Sequence, residues 1–352
     1  MDQSAQDNLY MNRCLQLAAL GLGTTAPNPL VGCVLIHDQK IIGEGYHMKY
    51  GGPHAEVNAV DNVTERDRIP LSTLYVNLEP CSHYGKTPPC AEMIIRQGIR
   101  KVVVACTDPF PQVAGRGIRM LREAGVEVRE GVMEKESIEL NRRFFTFQQK
   151  RRPYVILKWA QTEDGFMDRE RTPQESGIIW ITDAKLKSLV HRWRTEEAAI
   201  MVGTETALRD NPQLTVREWP GHNPLRIVID RELRLPPTLA LFDNSTPTLI
   251  LNGIRSDQEG MNCYEKMDFS TDILPPLFEL LYRRGVQSLI VEGGKLLLDS
   301  FIHSAYWDEA RVFTGSIKFG RGLSAPGIAF EPVEQMMIGQ DQLSVFRNHE
   351  AI

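Results

Sequence analysis

The chain has 352 residues, more than one core usually supports, and its 42% hydrophobic content is that of an ordinary globular protein, so two folded domains are expected. Forty basic residues against forty-five acidic give a net charge of −5, which offers no electrostatic footprint for a polyanion and argues against a nucleic-acid substrate. No apolar stretch approaches the length of a membrane span, and the polar opening Met1-Asp2-Gln3-Ser4-Ala5-Gln6-Asp7 does not read as a signal peptide, so a cytoplasmic protein is expected.

In the first half, helices and strands alternate. Residues 7–20 read as a helix stopped by Gly21 and Gly23, and residues 31–36 and 41–45 as a hairpin around Asp38-Gln39-Lys40. Gly51-Gly52-Pro53 precedes His54-Ala55-Glu56, and Val57, Ala59 and Val60 follow, which places His54 and Glu56 in the first turn of a helix. A strand at 73–78 leads to Pro80-Cys81. Cys90 follows Pro88-Pro89 and opens the apolar run Ala91-Glu92-Met93-Ile94-Ile95, where the helix dipole favours a thiolate. A strand at 101–106, a helix at 117–123, a strand at 126–132 and a helical segment at 134–149 complete an α/β three-layer pattern. The basic cluster Lys150-Arg151-Arg152 before Pro153 reads as a solvated junction, dividing the chain into 1–150 and 151–352. Cys14, Cys33, Cys106 and Cys263 lie in apolar contexts and read as buried free thiols.

Beyond Pro153 a second α/β series begins. Residues 154–160 are strand-like, 182–194 read as a helix capped by Thr182, and 198–202 as a short buried strand leading to Gly203. Further strands are expected at 225–229, 248–251, 288–291 and 310–313. In Val291-Glu292-Gly293-Gly294-Lys295 a strand ends in two glycines and opens the apolar run Leu296-Leu297-Leu298. Such a turn lets backbone N–H groups approach a phosphate, or is simply a turn; it is not the G-x-G-x-x-G fingerprint.

His54, Cys81 and Cys90 offer one imidazole and two thiolates, a donor set for zinc with the fourth position open, and Glu56 can reach a water there. A structural zinc site normally has four protein ligands. His83 reads as a pocket residue rather than a fourth ligand. The order H-x-E followed by P-C and a second cysteine is similar to the signature of zinc nucleobase deaminases, in which zinc lowers the pKa of water and the non-ligating glutamate moves its proton to the departing ammonia.

The spacing between the cysteines is longer than in that signature. The whole stretch Pro80-Cys81-Ser82-His83-Tyr84-Gly85-Lys86-Thr87-Pro88-Pro89-Cys90 closely resembles the deaminase half of the bifunctional riboflavin-biosynthesis deaminase/reductase family, as do Pro27-Asn28-Pro29-Leu30-Val31-Gly32 and Asp108-Pro109-Phe110-Pro111-Gln112-Val113-Ala114-Gly115-Arg116-Gly117. The resemblance implies a cytidine-deaminase-like three-layer domain over 1–150, acting on a diaminopyrimidinone that bears a ribosyl phosphate. Lys86 has a charge suited to the phosphate, and Asn28 and His47 have an amide and an imidazole suited to the pyrimidine edge. Each also has a structural alternative: Asn28 shaping a turn, His47 packing, Lys86 solvated.

In the second half, Lys158, Asp164-Gly165, Trp180-Ile181-Thr182, Arg194, Thr206, Asp210-Asn211-Pro212, Leu214-Thr215-Val216-Arg217 and Glu292-Gly293-Gly294 resemble the reductase half of the same family. That implies a dihydrofolate-reductase-like domain over 151–352, in which NADPH reduces the ribosyl group to ribityl. By position, the resemblance places Ala160, Trp180, Thr206, Asp210, Gly294, Lys295, Leu296, Leu297, Leu298, Asp299 and Ser300 along NADPH. It places Arg194, Leu214, Arg217 and Glu292 at the substrate. Two positions depart from the family pattern: Ile178 stands where a serine is usual, with Ser176 close by, and Thr162-Glu163 replaces Ser-Leu. A deaminase with a reductase half that no longer works is therefore the first competing reading, and a polynucleotide-editing deaminase, disfavoured by the net charge, the second. The resemblance leaves a homo-oligomer open.

Overall fold

The computed structural model describes residues 2–84, 88–110, 114–172 and 175–352. The chain divides into two compact units, Met1–Lys150 and Arg151–Ile352.

The first unit runs α1 (Gln3–Ala19), β1 (Gly32–His37), β2 (Lys40–Tyr46), α2 (Ala55–Asp61), β3 (Thr73–Leu78), α3 (Cys90–Arg96), β4 (Lys101–Cys106), α4 (Arg116–Glu123), β5 (Glu127–Glu130), α5 (Glu134–Leu140) and α6 (Arg142–Lys150). Its sheet has the order β2-β1-β3-β4-β5, with β1 antiparallel to both neighbours and β3, β4 and β5 parallel. Side chains alternate across a strand. Val34, Ile36, Tyr75 and Val103 pack on one face with Met11, Cys14 and Leu17 of α1. Cys33, Leu35, Leu74, Val76 and Val104 pack on the other with Ala55, Ala59, Ala91, Ile94 and Leu121 of α2, α3 and α4. Gly43 and Gly45 let α2 lie against β2, since a Cβ on either would come within 2.4 or 2.5 Å of the Ala59 backbone.

Helix α1 starts earlier than expected because the Asp2 side chain caps it, accepting from Ala5 N–H. The segment expected to be one helix at 134–149 is two. Between them Asn141 is buried, and its side chain bonds both the N–H and the C=O of Leu30.

The second unit comprises β6 (Tyr154–Thr162), β7 (Phe166–Arg169), α7 (Leu186–Glu196), β8 (Ala199–Val202), α8 (Thr204–Asp210), β9 (Leu225–Ile229), β10 (Thr248–Asn252), β11 (Asp257–Glu259), β12 (Asn262–Lys266), α9 (Leu274–Arg283), β13 (Ser288–Val291), α10 (Lys295–His303), β14 (Glu309–Gly315), β15 (Gly322–Ser324), β16 (Glu334–Ile338) and β17 (Asp341–Arg347). Ten of its strands form one sheet, ordered β11-β12-β10-β9-β8-β13-β6-β14-β17-β16, and β7 pairs with β15. On one face Leu157, Met201, Leu251 and Val291 pack with Leu277 and Phe278 of α9 and Leu298 and Phe301 of α10. On the other, Ile156, Ile200, Val228 and Ile290 pack with Leu186 and Trp193 of α7, Ala207 of α8, and Leu214.

Helix α7 begins at Leu186, not at 182: Asp183 turns the chain there, its carboxylate accepting from Lys185 N–H and its carbonyl from Leu186 N–H. Of the four cysteines expected to be buried, Cys263 is half-buried; all six in the chain are free thiols. Among the described residues, no helix is long and apolar enough to cross a membrane.

Candidate active sites

In the first unit, His54 is the N-cap of α2, Cys81 follows the end of β3, and Cys90 is the first residue of α3. His54 Nδ1 lies 3.5 Å from Cys81 Sγ and 3.3 Å from Cys90 Sγ, and the three donor atoms lie within 4.8 Å of one another. Two thiols and an imidazole at such separations fit a tetrahedral zinc, whose bonds to sulfur and nitrogen are about 2.3 and 2.0–2.1 Å. The Cys90 thiol, then His54 and the Cys90 backbone N–H, hold the Cys81 thiol well below its ordinary value, while the Cys81 sulfur and burial push the Cys90 thiol up. Without metal the thiolate of the pair thus lies at Cys81 and not, as the helix start suggested, at Cys90. Glu56, at the second position of α2, is buried, and that burial raises its carboxyl to about 7. His83 is exposed and stands outside the donor cluster.

The pyrimidine-edge candidates come together beside this cluster. His47 Nδ1 donates to Pro53 C=O at 2.9 Å, which leaves Nε2 as an acceptor for the Asn28 amide N–H at 3.1 Å. The Asn28 carbonyl oxygen is thereby the end of the amide not committed to His47. The His47 and His54 rings meet edge to face, 5.6 Å between centroids. Lys86 lies outside the described residues.

Sequence reasoning missed Glu79. Its buried carboxylate accepts from the backbone N–H groups of Asp108, Gly115, Gly117 and Ile118, and so ties the chain entering Cys81 to the loop before α4. A Cβ on Gly117 would sit 2.0 Å from Pro80 C=O, which accounts for a glycine there. Burial raises the Asp108 carboxyl to about 6.

In the second unit, Arg194 on α7 reaches Glu292 after β13, with Nη2 to Oε2 at 2.9 Å, and donates from Nη1 to Thr215 C=O at 3.1 Å. Glu292 Oε1 and Arg194 Nε are buried with no hydrogen-bond partner among the described residues, as groups awaiting a polar ligand would be. Burial lowers the Lys158 ammonium, and Glu292 opposes that lowering, so Lys158 belongs to the same charge cluster. Leu214 is buried and takes a left-handed backbone, φ 54°; Arg217 is exposed.

Gly293, at φ 107°, and Gly294 join β13 to α10, with the peptide between them cis. A Cβ on Gly294 would lie 3.1 Å from Thr206 Oγ1, so two of the cofactor candidates face each other. Within α10 the candidates differ in what they can offer. Leu296 is 83% exposed, whereas Leu297 and Leu298 send their side chains into the core and have backbone alone to present. Lys295 pairs with Asp299 at 2.9 Å, and the Ser300 hydroxyl donates to Leu297 C=O. Ala160 is half-buried on β6, and Trp180 is exposed with Lys187 over its ring. Asp210 bonds Arg171 Nη1 at 3.2 Å; the buried Arg171 also bonds Asp168 and Gly177 C=O, a linkage sequence reasoning did not find. Of the positions that depart from the family pattern, Ile178 and its neighbour Ser176 are exposed, and Glu163 sits 3.5 Å from Lys318 with both side chains mostly in water, whereas Thr162 is fully buried and donates from its hydroxyl to Asp164.

Residues 4–106 match the cytidine and deoxycytidylate deaminase zinc-binding region, and residues 153–336 match the RibD C-terminal domain. Riboflavin biosynthesis protein RibD of Aquifex aeolicus is 38% identical over 97% of this chain and 99% of its own length, and that of Escherichia coli is 36% identical over 92% of each. A crystal structure from Thermotoga maritima, of a diaminohydroxyphosphoribosylaminopyrimidine deaminase/5-amino-6-(5-phosphoribosylamino)uracil reductase, superposes with a TM-score of 0.89 at 35% identity, covering 99% of this chain and all of that one. With a His/Cys/Cys donor cluster in one unit and a buried Arg–Glu pair beside a glycine turn in the other, the chain belongs to the RibD family of bifunctional riboflavin-biosynthesis enzymes, deaminase and reductase in one polypeptide.

Proposed function

We propose that residues 1–150 deaminate 2,5-diamino-6-ribosylamino-pyrimidinone 5′-phosphate with release of ammonia, and that residues 151–352 then reduce its ribosyl group to ribityl. The observation that carries this reading is the convergence of His54, Cys81 and Cys90 beside a buried glutamate. A zinc ion held by these three residues supplies a nucleophile at neutral pH by lowering the pKa of water to about 7. Glu56, buried beside these donors and not one of them, would be the group that holds a proton from water and passes it to the leaving amine. The Asn28 carbonyl, aimed by the His47 relay, accepts from an N–H of the pyrimidine, and Lys86 meets the phosphate.

In the second unit NADPH supplies the hydride. Thr206, the backbone of Gly294 to Ser300, Ala160, Trp180 and Asp210 hold the cofactor, with the first N–H groups of α10 available to a phosphate. Glu292 accepts from the substrate through its unpartnered Oε1, and Arg194 and Arg217 meet anionic oxygen. The four thiols outside the donor cluster, Cys14, Cys33, Cys106 and Cys263, support a reducing cytoplasm, and the net charge of −5 supports a small-molecule substrate.

The test follows ammonia release and NADPH oxidation separately on purified protein. Both are expected, the second also with substrate already deaminated. Ammonia release without oxidation of NADPH by that second substrate would favour a reductase half that no longer works.

A further inference from the structure

We propose that His191 is a positioning residue for the reduction, its ring nitrogen anchoring the backbone of the segment that carries Leu214 and Arg217. The inference rests on the reading that Arg194, Arg217 and Glu292 hold the substrate.

His191 lies on α7 three residues before Arg194, so the two share a face of the helix, and both are buried. Its Nδ1 accepts from the backbone N–H of Arg217 at 2.8 Å and of Glu218 at 3.3 Å. Arg194 holds the same segment two residues earlier through Thr215 C=O. One helical turn thus grips residues 215–218 from both sides of the peptide chain, an acceptor for N–H and a donor for C=O.

The grip matters because Arg217 is exposed and long. Its guanidinium reaches Gln213 and Thr215 of its own segment, so its placement depends on where the backbone is pinned. Pinning the backbone beforehand removes part of the ordering entropy that substrate binding would otherwise meet.

A ring nitrogen that accepts two N–H groups has no proton, which assigns the neutral tautomer with its hydrogen on Nε2. Protonation would set a third N–H against the two. The charged groups facing the ring are Arg194 on its own helix, Arg217 and Glu218 on the anchored segment, and Glu292 after β13. Burial first, and then the two arginines, lower the ring below the ordinary histidine value, which keeps it an acceptor at neutral pH. The anchor therefore weakens as pH falls through that lowered value.

The experiment measures NADPH oxidation with already deaminated substrate from about pH 5 to about pH 8 on the full chain, for wild type, His191→Leu and His191→Asn. Asparagine places an acceptor near the Nδ1 position and does not titrate. His191→Leu is expected to raise KM for substrate about tenfold, equivalent to about 1.4 kcal/mol, with a smaller effect on kcat. His191→Asn should stay within about threefold of wild type at neutral pH and lose the acidic rise in KM that wild type shows. Ammonia release serves as the folding control for all three proteins. An unchanged KM in His191→Leu, or an acidic rise in KM retained by His191→Asn, overturns the proposal; should the leucine variant not fold, the asparagine profile decides alone. Arg217→Ala tests the underlying reading separately: if it leaves KM unaltered, the substrate assignment fails, whatever the His191 variants do.

Discussion

Arg194 and Glu292 bond at 2.9 Å across 98 residues of sequence, and each keeps one buried polar atom, Nε and Oε1, without a partner among the described residues. These two atoms are where the proposed substrate would bond. Glu292→Ala is expected to abolish NADPH oxidation and, by leaving Arg194 unpaired, to destabilise the second unit by about 3–5 kcal/mol. Glu292→Gln keeps the volume and Oε1 and should cost less on both counts. Steady-state kinetics together with urea denaturation separate the two effects.

The same pair sets an acid limit. Burial works to raise the Glu292 carboxyl, but Arg194 and Lys158 outweigh it and hold it below the ordinary glutamate value. A carboxyl lowered in the folded state contributes stability above its unfolded pKa of about 4.3 and loses it as pH falls through the folded value. The second unit should therefore lose stability below about pH 4 less steeply in Glu292→Gln than in wild type, as thermal denaturation across that range would report.

Cys81→Ser and Cys90→Ser each replace a sulfur of the donor cluster by a hydroxyl, a poor substitute at a bond of about 2.3 Å. Metal analysis should find zinc lost from both, with ammonia release gone and NADPH oxidation of deaminated substrate preserved. Full zinc occupancy in both variants would mean the donor set is misassigned.

Glu56→Gln should retain zinc yet lose deamination by about 10²–10⁴-fold, because an amide cannot carry the proton that a carboxylate near neutrality moves. Turnover near the wild-type rate would reduce Glu56 to a group that merely lines the site.

Gly294→Val brings a side chain against Thr206, whose hydroxyl a Cβ would already meet at 3.1 Å. NADPH affinity is expected to fall by about tenfold or more, read by fluorescence titration, while ammonia release is unchanged. Equal NADPH affinity in the variant would remove the glycine turn from the cofactor site.

The parts of the donor cluster were legible in the sequence because each sits in a local motif. His54 and Glu56 sit two residues apart at a helix start announced by Gly51-Gly52-Pro53, and Cys90 opens a helix announced by two prolines. Local punctuation by glycine and proline fixes φ and ψ, and so tells which end of an element a side chain occupies. The strands at 73–78, 101–106, 225–229 and 288–291 were readable for a related reason: they are short apolar runs bounded by turns, and burial on both faces leaves little room for another assignment.

Tertiary structure decided what depends on partners distant along the chain. Asn141 breaks a helix because Leu30, 111 residues away, offers an N–H and a C=O for its amide. Leu297 and Leu298 stand in the same apolar run as Leu296, yet the packing of α10 on the sheet buries two of them and leaves the third in solvent. Glu79 and His191 are ordinary polar residues in the sequence, and only the fold brings backbone N–H groups to them. The chain's own order thus determined which residues could do chemistry, since residue type and local turn geometry are encoded within a few positions. Which of them are aimed, paired or left with an open valence was decided by the fold, because a buried polar group takes its character from whatever long-range packing sets within 3 Å of it.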